Sequence, residues 1–334
     1  MKKLISILLA SIMVLTLFTF FGCEKNDEAD TQTLKLGLGT YTTVKASDAT
    51  EDKQGQGQAT ITAAAVLVDN DGKIVKAFID CADNKVNYTD KGEAIANTSF
   101  TTKYEAGKSY GMTNPAYGGN STKEWYEQAD AFCSLIVGKT ADEINALVAD
   151  GGKGTDDVIN AGCTIAIVEF VKAVDNAIKN ATASNATKND TLKLGVSTAQ
   201  TTSDATEDKN GSNKTETVFF AAAVNSDGKV VAASSDSVEV SFTFDNTGKS
   251  TFDATKAVLS KKEQGDSYGM KGAPYGSTKE WYEHAAAFDA TCIGKTAAEI
   301  EGLLGSDGKG NADVQSAGCT ILISGFVKAA SKIK

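Results

Sequence analysis

The chain repeats itself. Thr33-Leu-Lys-Leu-Gly37 returns as Thr191-Leu-Lys-Leu-Gly195, Ser47-Asp-Ala-Thr-Glu-Asp-Lys53 as Ser203 to Lys209, and Tyr110-Gly-Met112 as Tyr268-Gly-Met270. Ser121-Thr-Lys-Glu-Trp-Tyr-Glu127 returns as Ser277 to Glu283, Gly138-Lys-Thr-Ala as Gly294-Lys-Thr-Ala, and Ala161-Gly-Cys-Thr-Ile165 as Ala317 to Ile321. The spacing stays between 156 and 158 residues, so one structural plan has to serve twice. A period of that length is the size of a whole domain and not of a solenoid unit. The expected organisation is a leader over 1–22, a polar tether over 23–32, a first repeat over 33–180, a Thr/Asn/Ala/Ser linker over 181–190 and a second repeat over 191–334.

Each repeat reads as strands followed by helices. Residues 59–68 are β-rich and run into the turn Asp69-Asn-Asp-Gly72, with a return strand over 73–80. The second copy has the same hairpin over 217–233, and the alternation of Val238 to Phe244 suits a half-buried strand. Ser121 with Glu124, and Ser277 with Glu280, match the capping-box pattern that opens a helix. That helix carries Trp125, Ala129 and Phe132 on one face and stops at Gly138, or at Gly294 in the second copy. Thr140 with Glu143, and Thr296 with Glu299, predict a second, shorter helix. A last helix follows Thr164, with Ile167, Val171, Val174 and Ile178 on one stripe, and Ile323, Phe326 and Ala330 in the second copy. The expected class is α+β: two tandem homologous domains, each an antiparallel sheet or hairpin followed by three helices.

Composition narrows the chemistry. All 33 basic residues are Lys, and His284 is the only histidine. A single imidazole cannot serve two repeats, which argues against His-ligated metals and against Ser-His or Cys-His nucleophiles. The formal charge of −10 without any Arg argues against nucleic acid and anionic headgroups as partners. Redox or transfer chemistry here would have to come from a bound cofactor. At the N-terminus, Lys2 and Lys3 precede an apolar run from Leu4 to Phe21 that ends at Gly22-Cys23, the pattern of an export signal. The pattern resembles a bacterial lipoprotein signal, which implies Cys23 as the lipidated first residue and loss of the two leader lysines, taking the charge to −12; the alternative is a transmembrane anchor, and either way the rest is expected on the extracytoplasmic face.

The most informative short element is Asp157-Val-Ile-Asn-Ala-Gly-Cys-Thr164, with its partner Asp313 to Thr320. Each is expected to put a Thr hydroxyl at the start of the last helix, where free N–H groups and the dipole favour a phosphate, behind two small residues. The plainer reading is an ordinary Thr N-cap. The loops from Tyr110 to Gly118 and from Tyr268 to Gly276 hold both prolines, Pro115 and Pro274, and supply candidate walls for a planar ligand. Trp125 and Trp281 are either further walls or core.

Taken together, the lipoprotein leader, the repeated Leu-Lys-Leu-Gly start, the Asp-Gly-Lys hairpin, Tyr-Gly-Met, Lys-Glu-Trp-Tyr-Glu, Gly-Lys-Thr and the small-small-apolar-Thr-Ile element resemble the tandem flavin-bearing, pheromone-precursor-type lipoproteins of Gram-positive bacteria. Those are relatives of FMN-binding domains, in which a flavin transferase joins FMN through its phosphate to a Thr. The resemblance spans nearly the whole mature chain. It implies covalent FMN at Thr164 and Thr320, with Gly162, Cys163, Gly318 and Cys319 around the attachment points and Tyr110, Met112, Trp125, Tyr268, Met270 and Trp281 around the ring. It also implies an extracytoplasmic electron carrier more than an enzyme. Such a carrier takes electrons from a membrane dehydrogenase or quinone and passes them to extracellular acceptors such as ferric iron or free flavin. Two departures stand out: Cys163 and Cys319 occupy a place where the broader motif has Ala, and Asp157 and Asp313 lie seven residues before the Thr instead of six. Competing readings are a cofactor-free lipoprotein that binds a solute or cell-surface partner, and a leader whose cleaved peptide signals between cells.

Six cysteines remain to be placed. Cys133 with Cys163, and Cys292 with Cys319, could form disulfides in an oxidising compartment or stay as buried thiols. Cys81 reads as a small buried hydrophobe, and the spacing fits no iron–sulfur cluster. His284 aligns with Gln128 and is expected on a helix surface.

Overall fold

A computed structural model describes residues 32–333 apart from 273 and 275. The leader and Cys23 lie outside the described residues. In chain order the elements are β1 (Lys35–Ser47), β2 (Gly55–Val68), β3 (Ile74–Tyr88), β4 (Ala94–Ile95), α1 (Lys103–Ala106), α2 (Trp125–Leu135), α3 (Ala141–Asn145), α4 (Asp156–Ala161) and α5 (Val168–Lys179). There follow β5 (Thr182–Ala183), β6 (Thr191–Ser203), β7 (Gly211–Val224), β8 (Val230–Phe244), α6 (Lys261–Gln264), α7 (Trp281–Cys292), α8 (Ala297–Glu301), α9 (Ala312–Ser316) and α10 (Ser324–Ala330). The chain is thus a mixed α and β protein with two antiparallel sheets, ordered β4-β3-β2-β1-β5 and β6-β7-β8.

The two meanders keep the same dimensions. Their strands are 13, 14 and 15 residues long in both sheets. A bulge falls between Leu67 and Val68 in the first and between Ala223 and Val224 in the second. The strands β1 and β6, which begin on the repeated Leu-Lys-Leu-Gly, add to the expected hairpins. Among the described residues each half carries five α-helices, not three, because α1, α4, α6 and α9 are too short to show a periodic stripe.

Strand β2 explains the unbroken apolar run from Ala63 to Val68. Ile61, Ala63, Ala65 and Leu67 face one way, into a core shared with Val196, Phe219, Ala221, Val240 and Phe242 of the second sheet. Ala64, Val66 and Val68 face the other way, toward Phe132, Val171 and Val174 of α2 and α5. In β7 the same division sends Phe219, Ala221 and Ala223 inward and Val218, Phe220 and Ala222 toward Phe288 and Phe326. The layers are therefore helix, sheet, sheet, helix, with β1 against β8 and β3 against β6 across the middle. Asn84 donates to Thr217 Oγ1 (2.8 Å) and Asn213 to the Asn87 carbonyl (2.8 Å), whereas the buried Thr215 hydroxyl on the same face of β7 has no partner.

The segment expected as a linker packs along the first sheet. Thr182 and Ala183 pair with Leu36 and Lys35, Ala186 is buried, and its carbonyl accepts from Leu34 N at 2.7 Å.

Glycine in the repeated Leu-Lys-Leu-Gly has a steric cause. A Cβ on Gly37 would lie 2.0 Å from the Ala177 carbonyl oxygen of α5, and one on Gly195 would lie 2.0 Å from that of Ala329 in α10. The strand and helix backbones touch there, and only the absence of a side chain permits it. Gly37→Val and Gly195→Val should each lower stability by about 1–3 kcal/mol, the usual cost of overpacking. The urea midpoint reads this, and Gly228→Asn, at a turn where an added Cβ meets nothing within 4 Å, should leave it nearly unchanged.

Candidate functional site

The site begins with a buried carboxylate. Asp80 on β3 accepts from Cys81 N (2.6 Å) and from Tyr104 N (3.1 Å), the latter in the first turn of α1. Asp236 on β8 does the same for Ser237 N (2.7 Å) and Lys262 N (3.1 Å) in α6. Burial pushes both carboxyls up to about 6, and the hydrogen bonds reaching each, including one from the Thr102 hydroxyl to Asp80 and one from the Ser260 hydroxyl to Asp236, pull the other way. Thr102 with Glu105, and Ser260 with Glu263, close capping boxes on the same short helices. Two independent anchors thus dock each one-turn helix on its sheet and fix its first residue, Lys103 or Lys261.

These lysines overlie the aromatic residues expected as walls. Lys103 Nζ is 5.5 Å from the Tyr110 ring centre and 5.8 Å from that of Trp125. Lys261 Nζ is 5.2 Å from Tyr268 and 5.7 Å from Trp281, all within cation–π range. Burial works to lower both ammonium pKa values, but nearby negative and polar groups outweigh it and leave both raised.

The Tyr-Gly-Met loop is held by a group assigned in the sequence to another task. The N-caps of α2 and α7 are Glu124 and Glu280, not Ser121 and Ser277, and their box partners are Glu127 and Glu283. Glu124 accepts from Met112 N (2.9 Å) and Thr113 N (3.1 Å), and its carboxyl is held below the usual range, chiefly by the Thr113 hydroxyl. Glu280 accepts from Met270 N (2.9 Å) and Lys271 N (3.0 Å). Helix start and loop are thereby locked together.

Two cavities result, one on the helix side of each sheet. Lys103, Tyr110, Met112, Trp125, Ile165 and Phe170 line the first, of about 270 Å³. Their counterparts Lys261, Tyr268, Met270, Trp281, Ile321 and Phe326 line the second, of about 600 Å³. The expected Tyr, Met and Trp residues are therefore brought together in both halves. The lysine and phenylalanine are additions, and the lysine was legible only as a matched Lys behind a Thr or Ser cap. Grooves of about 370 and 340 Å³ follow the seam between the halves and carry no aromatic lining.

Thr164 and Thr320 sit beside these cavities, one residue ahead of Ile165 and Ile321, and both are exposed. They do not start the last helices. α5 begins at Val168 behind Ile167, α10 at Ser324 behind Ile323, and neither has a side-chain cap. The helix-terminus argument for phosphate therefore fails here. The positive charge near the motif is a lysine instead: the ammonium of Lys123 occupies the place a Cβ on Gly162 would need (2.0 Å), and Lys279 does so at Gly318 (2.0 Å). Both glycines have φ near +100°, so glycine is required twice over.

The Thr loops are latched to α2 and α7. Gln128 Oε1 accepts from Thr164 N (2.8 Å), Thr164 Oγ1 (3.0 Å) and Ile165 N (3.2 Å), while its amide donates to Ser121 Oγ and the Lys123 carbonyl. His284 replaces it in the second half and is buried, not on the helix surface as its position suggested. The ring lies inward because it takes over the latch. Ser277 Oγ already donates to the Lys279 carbonyl (2.6 Å), so it accepts from His284 Nε2 (3.0 Å). Nδ1 is then free to accept from Thr320 N (3.3 Å), and its 3.0 Å approach to the Gly318 carbonyl becomes a hydrogen bond only on protonation.

Cys163 and Cys319 are buried behind the loops and line neither cavity. All five cysteines among the described residues are free thiols. Burial raises the pKa of each, that of Cys163 to about 11 and that of Cys81 to about 12, which leaves them inert as nucleophiles at neutral pH. Among the described residues no group of His, Cys, Asp and Glu side chains could hold a metal ion, and no helix is long and apolar enough to cross a membrane. Comparison with protein-family models, with curated proteins and with solved structures returned no match.

Burial, with Lys279, holds the His284 imidazole below its ordinary value, against the opposing pull of the Gly318 carbonyl and Glu283. Its contribution to stability is then present above the unfolded value of ~6.5 and lost as pH falls through the folded value. His284→Gln should remove that loss, so wild type should weaken relative to the variant between pH 7 and pH 5. Urea denaturation at each pH measures it, and a constant difference would refute the latch as described.

Proposed function

We propose that the chain is two tandem copies of one domain and serves as a lipid-anchored, extracytoplasmic electron carrier, with FMN joined to Thr164 and Thr320. The two-copy reading rests on the equal strand lengths, the matched bulges and the recurrence of the capping boxes of α1, α2 and α3 in α6, α7 and α8. The observation that carries the functional reading is the pair of aromatic cavities, each lined by the same six side-chain types and each beside one of the two matching threonines.

The residues suit such a group. Small-molecule sites run from ~300 to ~1,000 Å³. The second cavity, at about 600 Å³, falls within that range, and the first, at about 270 Å³, just below it. Tyr, Trp, Phe, Ile and Met offer an apolar slot for a flat ring, and Lys103 or Lys261 a positive charge at its side. The exposed Thr hydroxyls are open to a flavin transferase, and Lys123 and Lys279 supply the charge that a phosphodiester requires. FMN, when bound, supplies the electron uptake and release that none of these side chains performs. Electrons would enter from a membrane dehydrogenase or quinone and leave to ferric iron or free flavin. Anchoring at Cys23 keeps the carrier at the membrane surface, and the net charge of −12 favours cationic or small neutral acceptors over polyanions.

Expression of the mature chain with and without a flavin transferase, followed by intact-mass measurement, tests this. Co-expression should add two FMN units, and Thr164→Ala and Thr320→Ala should each remove one. No added mass would exclude the covalent carrier and leave a cofactor-free binding protein. Two flavins retained in both variants would move the attachment elsewhere.

A further inference from the structure

The two cavities share their aromatic frame but not their charge. In the second, Lys261 Nζ lies 2.6 Å from Glu216 Oε1 and 3.5 Å from Glu239 Oε2, and Glu239 is also 3.4 Å from Lys214. Lys261 is 5% exposed, so its charge is compensated where water cannot screen it. In the first, the corresponding positions are Thr60 and Asp83. Asp83 Oδ1 is committed to Gln58 (2.6 Å) and Thr60 (2.9 Å), and its Oδ2 faces Lys85 at 3.9 Å. Among the described residues no carboxylate comes within ion-pair distance of Lys103, whose neighbours are the rings of Tyr110 and Trp125 and the Cys81 thiol, with the Asp83 charge acting on it only from farther away. The remaining charged lining is half-buried Glu169 on the first cavity and, on the second, half-buried Lys214, itself paired with Glu239, and solvent-exposed Lys309. Lys309 is screened by water and salt, so the contrast rests on Lys261 being ion-paired and Lys103 not.

We propose that Lys103, as a cation with no ion pair inside the first cavity, makes this the site that favours the more negative form of its ligand, while the Glu216–Lys261–Glu239 set makes the second favour the neutral form. The inference rests on the FMN reading above. Uptake of two electrons and one proton leaves one extra negative charge on the ring system, which Lys103 stabilises and the already paired Lys261 does not. When one flavin is reduced and the other oxidised, transfer of those two electrons and that proton from the second site to the first exchanges the two states and balances. Electrons then rest on the first site and leave the chain from there.

Single-flavin proteins separate the two sites: Thr320→Ala keeps only the first flavin and Thr164→Ala only the second. Spectroscopic redox titration of each should give the first flavin the higher potential. A tenfold preference corresponds to about 30 mV for a two-electron couple. Lys103→Gln in the Thr320→Ala background should abolish the difference, whereas Glu216→Gln in the Thr164→Ala background should raise the second potential toward the first. Equal or reversed potentials, or a first potential indifferent to Lys103→Gln, would overturn this inference and leave the carrier reading intact. Absence of attached flavin by mass would overturn both.

Discussion

The fold depends on strands β2 and β7 being covered on both faces. A helix layer alone would leave Leu38, Ile61, Leu67 and Val86 of the first half open to water, and Val196, Phe219, Val240 and Phe242 of the second. Each sheet supplies the missing cover for the other, so neither half completes its apolar core by itself. At roughly 25 cal/mol per Å² of apolar area removed from water, this shared face is the main reason for the halves to stay together. It also fixes where ligands can go. The inner faces are consumed by packing, and both cavities open on the outer, helix-covered sides, with two sheets about 10 Å apart between them.

On those outer sides a polar constraint takes over. Asp80 and Asp236 are carboxylates in places that favour the protonated form, which is costly near neutral pH. What they obtain in return is position. A helix of four residues has no stability of its own, and without a partner for its first N–H groups it would not hold Lys103 or Lys261 over a Trp ring. Asp236 Oδ2 has no hydrogen-bond partner, but the Lys262 charge offsets part of the burial cost there, a help that Asp80 lacks. Glu124 and Glu280 act on the same logic from the other side of the cavity, since one carboxylate serves a helix start and a loop at once.

The parts of this arrangement that were legible are those with a local cause. Thr140 with Glu143 and Thr296 with Glu299 form the boxes their spacing predicts, because all the partners lie within one turn. The stripe of Ile167, Val171 and Val174 is buried as its period requires. The Tyr, Met and Trp walls were legible from their glycine-rich setting and their recurrence. What was not legible depends on contacts between distant segments. Ser121 resembles an N-cap, but Glu124 occupies that position since its carboxylate also reaches Met112 N. Thr164 resembles a helix start, yet Gln128, 36 residues earlier, holds it in the preceding turn. His284 looked like a surface residue because its alignment with Gln128 was read without the latch that Gln128 itself makes. The sharing of one core between the repeats left no mark beyond the unbroken apolar run in β2, which a buried parallel strand would also have produced.

The differences between the copies follow a rule that bears on how they could come to work differently. Polar changes arrive in partnered sets. Ile79 and Cys133 in the first half become Ser235 and Asp289 in the second, where Asp289 accepts from both Ser235 N and the Ser235 hydroxyl. Gln58, Thr60 and Asp83, joined by hydrogen bonds, become Lys214, Glu216 and Glu239, joined through Lys261 by ion pairs. Ser235 or Asp289 alone would leave a buried polar group unpaired, at a cost of about 1–3 kcal/mol. The aromatic frame shows no such drift, since Tyr, Met, Trp and Phe stand at matched positions in both cavities. The frame of the two cavities is therefore matched while the charge beneath it differs by whole sets of residues. Part of that frame has a packing cause, since Trp125, Phe170, Trp281 and Phe326 are buried members of the helix-side cores, so the matched side chains that packing explains least are the half-exposed Tyr and Met.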